Sequence, residues 1–395
     1  MISHAGLSVA HNKGKSLVPI FLHTADWQIG RQYSQFSPED SSAISEARID
    51  AVATIAKLAA ENAVDAVMVA GDVFDTQTVA ERTLRKLFNA MQGFAGPWIM
   101  IPGNHDAALT ESVWTHAQRL EVMPSNLHLA LAGKVIEFPD LNFAALCAPL
   151  TQRHTYNDLT AAFDGWETPA GMLRVGIAHG SVQGILAEEI DSTNPIAPDR
   201  AIAARLDYLA LGDWHGCKQI NPRTWYSGTP EQDRFKGNEP GYALLVQIDA
   251  PGAMPVVTRL QTGRYVWQEV EFHLTIASDA DQLVSKLDAI EGKDVLKLTL
   301  TGQTDLLGQQ KILGAISRAH ARARSLECDQ AGLRLMPTAD DIAALKADGY
   351  LGEVIAELRD RQGETANPES RSVATHALGL LTTLLAERQQ AGATA

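Results

Sequence analysis

The sequence predicts an α/β fold, and three observations carry that prediction. Short apolar runs at residues 18–22, 66–70, 98–101, 143–147, 173–178 and 208–211 have the length of buried strands. Between them, residues 39–62 and 78–91 place apolar side chains three and four apart, the spacing of helices that cover a sheet. Several runs end in polar, Gly-containing loops where the reactive residues collect, as they do at the carboxyl ends of strands in open α/β sheets.

Taken in order, residues 1–17 mix Gly, Ser, His and Lys without period and read as a flexible arm. Residues 18–264 form the main domain. After residue 211 the chain turns β-rich, and strands at 241–249 and 256–260 are expected in a second sheet. A new pattern then runs as strand 266–273, helix 279–290, strand 294–301, helix 305–324 and strand 326–335. This βαβαβ block is long enough for a small separate domain over 265–336. Residues 337–395 are Ala/Leu-rich and read as helices at 340–361 and 371–388 around a loop at 363–369.

Composition narrows the function. The 395 residues contain no apolar run of the ~20 residues that a membrane span needs. The first segment carries His4, His11, Lys13 and Lys15 where a signal peptide would be apolar, so a soluble, cytoplasmic protein is expected. Cys147, Cys217 and Cys328 show no Cys-x-x-Cys spacing, which excludes a disulfide framework and a thiolate zinc cluster. With 33 Lys+Arg against 47 Asp+Glu, the net charge of -14 argues against coating nucleic acid through overall charge. A nucleic-acid substrate would have to be attracted by bound metals or a local basic strip.

Five loops hold the chemistry: His23-Thr24-Ala25-Asp26-Trp27-Gln28-Ile29-Gly30, Gly71-Asp72-Val73-Phe74-Asp75, Gly103-Asn104-His105-Asp106, Ala178-His179-Gly180-Ser181 and Leu211-Gly212-Asp213-Trp214-His215-Gly216. They place carboxylates, an amide and imidazoles, with no thiolate among them, at strand ends on one rim. That donor set suits divalent metals of the Mn/Fe/Mg/Zn type. Their joint occurrence after five strands is a stronger signal than any one Asp or His.

In order and type these loops resemble the five-motif signature of the calcineurin-like metallophosphoesterases. Within that superfamily, the Leu-His-Thr-Ala-Asp-Trp start, Gly-Asp-Val-Phe-Asp and Tyr226-Ser227-Gly228-Thr229-Pro230-Glu231 are similar to SbcD-type DNA repair exonucleases. The resemblance runs over about residues 19–260. It implies a two-sheet sandwich flanked by helices, a capping domain in the βαβαβ block, and partner-binding helices at the end. It also implies DNA as substrate, a coiled-coil ATPase of the SbcC type as partner, and a homodimer.

Carried over residue by residue, the resemblance puts Asp26 in a first metal site, Asp72 as bridging carboxylate, and Asn104 and His179 in a second site. His215 returns to the first metal, His105 is the catalytic histidine, and Asp75 is its orienting partner. Gln28 stands where the pattern has His, and so does Asp213. Both keep an oxygen donor, which hardens each site and shifts preference from Zn²⁺ toward Mn²⁺ or Mg²⁺, with Fe also compatible. Two divalent ions so held would polarise a phosphate and activate water for in-line hydrolysis of a phosphodiester. His105 would protonate the leaving oxygen or stabilise developing charge.

Candidate contacts to a phosphate backbone are Arg31, Arg82, Arg85, Lys86, Arg234 and Lys236, with a further basic cluster at Arg318, His320, Arg322 and Arg324. Trp27 and Trp214 could stack on bases or pack internally. Two other functions fit the same loops: hydrolysis of a small phosphoester, or a catalytically silent phosphate-binding protein in which Gln28 and Asp213 mark a lost site.

Overall fold

A computed structural model describes residues 18–185, 194–344, 349–363 and 367–393; the expected arm at 1–17 lies outside the described residues. The chain divides into two compact units between Arg264 and Tyr265, with residues 234–236 grouped with the second.

In the first unit the chain runs β1 (Ile20–Thr24), α1 (Pro38–Glu61), β2 (Ala66–Ala70), α2 (Glu81–Ala90), β3 (Trp98–Ile101), α3 (Val113–Arg119) and β4 (Leu127–Leu129). It continues through β5 (Lys134–Phe138), β6 (Phe143–Ala148), β7 (Leu173–His179), the short β8 (Ser181–Val182) and β9 (Pro195–Ile196), and α4 (Arg200–Ala203). Then follow β10 (Tyr208–Gly212), β11 (Lys218–Asn221), β12 (Thr224–Tyr226), β13 (Tyr242–Gln247) and β14 (Val256–Gln261). Twelve of these strands form two six-stranded sheets, ordered β14-β13-β1-β2-β3-β4 and β11-β12-β10-β7-β6-β5, and β8 pairs with β9. Central strands such as β2 are buried at every residue, as expected of parallel strands covered on both faces.

The sheets face each other across an apolar core. Phe21, Met68, Ile99 and Ile101 from one meet Phe143, Cys147, Val175, Ile177 and Ala210 from the other. The rings of Phe21 and Phe143 pack edge to face at 4.9 Å. Both Cys147 and Cys217 are buried free thiols, and burial pushes Cys147 up to about 12. Helices α1, α2 and α3 cover the outer face of the first sheet. Ser37 caps α1 by accepting from the Asp40 amide at 3.2 Å, Pro38 opens its first turn, and Ile44, Ala51, Val52, Ile55 and Ala59 line its buried side.

One expectation is corrected. The strands expected at 241–249 and 256–260 in a second sheet belong to the first. Strand β13 pairs antiparallel with β1, from Ile20↔Gln247 to His23↔Leu244, and β14 pairs with β13. The returning chain carries Ala243, Leu244 and Val246, all buried, and closes an edge that β1 would otherwise expose.

Arg48 on α1 is a buried cation. Its guanidinium donates to the carbonyls of Trp27 (2.6 Å), Asp26 (3.0 Å) and Glu231 (3.1 Å), to the Tyr33 hydroxyl (3.2 Å) and to Thr229 Oγ1 (2.9 Å). It therefore ties the first loop to the Thr229-Pro230-Glu231 turn. Arg48→Met is expected to cost about 3 kcal/mol or more in urea denaturation, since three buried carbonyls lose a charged donor. A loss below about 1 kcal/mol would show that water replaces the guanidinium.

The second unit contains β15 (Val266–Leu274), α5 (Ala277–Asp288), β16 (Asp294–Thr304), α6 (Leu306–Arg322) and β17 (Ser325–Leu335). The three strands form a parallel sheet in that order, with α5 and α6 burying Leu283, Leu287, Ile312 and Ala315 against it. This is the expected βαβαβ pattern. Helices α7 (Ala339–Ala344), α8 (Tyr350–Arg361) and α9 (Pro368–Ala393) follow. The single helix expected over 340–361 is instead two, and α8 starts after Gly349, whose φ of +63 is a conformation costly for other residues. On α9, Ala374, Leu378 and Thr382 are buried, while Val373, Leu380 and Leu384 are exposed. Among the described residues no helix is long and apolar enough to cross a membrane.

Candidate active site and metal centre

The five loops converge at one end of the first unit. Asp26 and Gln28 follow β1, Asp72 follows β2, Asn104 and His105 follow β3, His179 ends β7, and Asp213 and His215 follow β10. One ligand atom each from Asp26, Asp72 and His179 lie within 4.8 Å of one another, and all three residues are buried.

The backbone is bent to aim these side chains. Nine non-glycine residues among those described have positive φ, and four of them are Asp26 (54°), Gln28 (50°), Asp72 (52°) and Asp213 (105°). Left-handed backbone costs a side-chain-bearing residue about 1 kcal/mol or more, and such positions cluster at functional sites. The turns are locked by hydrogen bonds from Asp26 N to the Gly71 carbonyl and from Gln28 N to the Asp72 carbonyl, both at 3.0 Å. Gly103 is required by close approach: a Cβ there would run into Asp72 Oδ1.

His179 is fully buried. Its Nδ1 donates to the Ala70 carbonyl at 2.9 Å, which turns Nε2 toward Asn104 Oδ1 (2.9 Å), Asp72 Oδ1 (3.5 Å) and Asp213 Oδ1 (3.8 Å). Three oxygens around one nitrogen need a positive centre between them. Burial alone would lower this imidazole, but the carboxylates of Asp72, Asp26 and Asp213 raise it to about 9. Asp213 is raised to about 6 by burial and by its acidic neighbours, and Asp26 is also raised, with burial the largest cause. The Asp213 amide donates to Asp26 Oδ1 at 3.1 Å, so the first and fifth loops meet directly.

The residues fit divalent cations on two counts. Carboxylates that burial pushes toward protonation mark a place where positive charge is needed. In addition, Gln28 Oε1 and Asp213 Oδ2 are buried with no hydrogen-bond partner among the described residues. These are the donor atoms at the two positions that depart from the resemblance, and an unsatisfied buried oxygen is costly unless something binds it. Asp26, Gln28, Asp72 and His215 on one side, and Asp72, Asn104, His179 and Asp213 on the other, are the groups that would hold the ions.

Gln28 has a second tie. Its Nε2 donates to Asp72 Oδ2 at 2.8 Å, occupying one oxygen of the carboxylate expected to bridge. Replacing Gln28 by His adds a softer nitrogen donor and is expected to raise Zn²⁺ binding relative to Mn²⁺ in competition measurements. An unchanged ratio would mean that Gln28 is not a ligand.

His105 stands at the mouth, exposed, beside a cleft of about 280 Å³ that it lines with Asp75, Thr76, Asn104, Arg153 and His154. Its backbone amide donates to Asp72 Oδ1 at 3.0 Å, and its ring Nδ1 donates to the Asp75 backbone carbonyl at 2.8 Å. The remaining nitrogen, Nε2, faces Asp72 Oδ2 at 4.0 Å. Orientation by Asp75 thus comes through its main chain, while its carboxylate lies 3.6 Å from Arg31.

Several residues to which the sequence assigned no role prove structural partners of the site. Asp233, buried, accepts from His215 Nδ1 at 2.9 Å and pairs with Arg31 at 3.3 Å, so it holds a candidate ligand by its outer nitrogen. Asp106 accepts from the amides of Val73 (3.0 Å), Phe74 (3.2 Å) and Gly103 (2.6 Å), bracing the second loop against the third. Burial raises Asp106 to about 7. His23 is buried between β1 and β10, its Nδ1 3.0 Å from the Tyr208 hydroxyl, and burial lowers it to about 3.

The expected phosphate contacts are distributed differently. Arg31 is clamped between Asp75 and Asp233, Arg85 pairs with Glu81 at 2.7 Å, and Lys86 pairs with Glu46 at 2.6 Å. Arg82 lies exposed on α2, and Arg234 and Lys236 lie in the segment grouped with the second unit. In that unit Arg318 and Arg322 both pair with Asp288. Trp27 is a core residue, buried and donating to Thr24 Oγ1 at 2.9 Å. Trp214 lies half-buried with Lys218 Nζ 5.3 Å above its ring.

Residues 20–203 match the model of the calcineurin-like phosphoesterase family. The chain is 26% identical over 263 residues to the SbcD component of the nuclease SbcCD from Bacillus subtilis (strain 168), covering 58% of this chain and 65% of that protein. Against the DNA double-strand break repair protein Mre11 of Methanosarcina acetivorans it is 24% identical over 250 residues, or 58% of this chain and 37% of that protein. A third relative, the SbcD component of the nuclease SbcCD from Rhodobacter capsulatus, is 38% identical over 92 residues, 22% of this chain and 21% of that protein. The chain therefore spans just under two thirds of the first of these relatives and 37% of the second.

Proposed function

We propose that this protein is a DNA phosphodiesterase of the repair-nuclease type, working with two divalent cations, Mn²⁺ foremost. The observation that carries this reading is the buried cluster of Asp26, Asp72 and His179, with the oxygens of Gln28 and Asp213 unsatisfied beside it and His105 at its mouth. When bound, the cations would neutralise the phosphate and make water nucleophilic near neutral pH.

The chain's own residues supply the rest. Asp72 directs one oxygen toward His179 and the His105 amide and the other toward Gln28, which suits a shared carboxylate. With its Nδ1 proton committed to the Asp75 carbonyl, His105 has Nε2 for chemistry. As imidazolium it would donate the Nε2 proton to the leaving oxygen. His215, steadied by Asp233, and Asp26, steadied by the Asp213 amide, keep the first site in place.

The remaining parts of the reading follow the sequence resemblance. Residues 265–336 would cap the site, and residues 337–395 would dock a coiled-coil ATPase of the SbcC type. The exposed Val373, Leu380 and Leu384 on α9 are consistent with such docking. A cytoplasmic setting and a homodimer belong to the same reading.

The test is turnover of linear duplex DNA, single-stranded DNA and bis-p-nitrophenyl phosphate by purified protein with Mn²⁺. Hydrolysis of DNA is expected; hydrolysis of the small ester alone would favour a small-molecule phosphoesterase. The Gln28–Asp72 hydrogen bond favours one variant of the reading, a single occupied site at Asp72, Asn104, His179 and Asp213. Counting bound Mn²⁺ per chain distinguishes one ion from two.

A further inference from the structure

Arg153 and His154 carry no role so far, yet they form part of the wall of the cleft that His105 and Asn104 line. We infer that they constitute a second phosphate subsite, which binds the phosphodiester next to the scissile one in a polynucleotide strand. The inference rests on the nuclease reading above and deepens it.

Three observations support it. The first is position. The loop of residues 151–157 follows β6 and is registered to the His105 loop by backbone hydrogen bonds, from Leu150 N to the Pro102 carbonyl at 3.2 Å and from Ala108 N to the Leu150 carbonyl at 2.8 Å. Its far end is fixed by Asp158, which accepts from the Thr160 amide at 2.9 Å and from Arg200 at 2.8 Å. A cation on this loop therefore has a defined place relative to the catalytic histidine.

The second is availability. Arg31, Arg85 and Lys86, three of the other basic candidates near these loops, are each neutralised by carboxylates. Among the described residues no carboxylate pairs with Arg153, and both it and His154 are exposed. The single carboxylate lining the cleft, Asp75, already faces Arg31. In a chain of net charge -14, an uncompensated guanidinium beside the reacting centre is a specific local attraction for a polyanion.

The third is chemistry. A planar guanidinium binds the two non-bridging oxygens of a phosphodiester as a fork. A small diester offers one phosphate and leaves this fork idle, whereas a strand offers a second. Tyr156, three residues along and 92% exposed, adds an aromatic face on the same loop that suits an unstacked base.

The experiment compares the full-length wild type, Arg153→Gln and Arg153→Lys with Mn²⁺, on a single-stranded oligonucleotide and on bis-p-nitrophenyl phosphate, across a salt series. The ratio of kcat/KM on the oligonucleotide to that on the small ester is expected to fall about tenfold in Arg153→Gln, mainly through KM. The salt slope on the oligonucleotide should drop by about one unit. Arg153→Lys, which keeps the charge without the fork, should recover the slope and part of the ratio. An unchanged ratio in Arg153→Gln, with wild type active on both substrates, would overturn the subsite alone. Wild-type turnover of the ester without the oligonucleotide would overturn the nuclease reading and the subsite together, as would a wild type inactive on both.

Discussion

His105→Ala is expected to lower phosphodiester turnover by about 10²- to 10⁴-fold while leaving bound Mn²⁺ unchanged. The histidine is exposed and contributes to the fold through its backbone amide, which donates to Asp72 Oδ1 and survives the substitution. What disappears is the ring whose Nδ1 is pinned on the Asp75 carbonyl, and with it the proton at Nε2. The loss should be greatest for substrates with poor leaving groups and smallest for p-nitrophenyl esters, which depart without protonation. Equal losses on both, or a parallel fall in Mn²⁺ content, would assign His105 to positioning or to metal binding. Because orientation comes from a main-chain carbonyl, Asp75 can change its side chain without releasing the ring.

Asp72→Asn is expected to abolish tight Mn²⁺ binding and to reduce turnover by about three orders of magnitude, a loss of about 4 kcal/mol in transition-state stabilisation. The carboxylate is the common neighbour of the site: Oδ1 lies 3.5 Å from His179 Nε2 and Oδ2 accepts from Gln28 at 2.8 Å. An amide keeps one oxygen and removes the charge. Its NH₂ would also oppose either the His105 amide or the Gln28 amide, placing donor against donor. Metal content after dialysis, with turnover on the same sample, checks the prediction. Wild-type Mn²⁺ retention would remove Asp72 from its central role.

The balance between sequence and structure differs from part to part. Strands β1, β2, β3, β6, β7 and β10 were legible because continuous apolar runs of that length have few other uses. Pairing of β13 with β1 was not, since the two lie more than two hundred residues apart and periodicity says nothing about partners. Strand β4, of three residues, and helix α3, of seven, are too short to show a period. The Ser112–Thr115 capping box at the start of α3 was the signal that could have located that helix.

At the site the same division holds. The loops that collect Asp26, Asp72, Asn104, His105, His179, Asp213 and His215 are local motifs, so residue type and spacing identified them, while Gln28 entered through the family resemblance. Asp233 and Arg48 carry no such motif, and their roles depend on groups elsewhere in the chain, as when Arg48 reaches the Glu231 carbonyl 183 residues away. Arg153 and His154 likewise lie outside every motif and enter the cleft only because β6 ends beside β3.

The sequence by itself determined the inventory: an α/β domain, a second βαβαβ unit, and a set of oxygen and nitrogen donors at strand ends. Those follow from hydrophobic periodicity and from turns that need glycine or a short polar side chain, which are short-range properties. Only the tertiary structure decided which atom of each residue meets which. It turned Arg31 inward, routed Asp75 through its carbonyl, and left Gln28 Oε1 and Asp213 Oδ2 unsatisfied at the centre. Such choices are made by charge and hydrogen bonding between distant segments, as where the Asp213 amide meets Asp26 across 187 residues, and no local pattern encodes them.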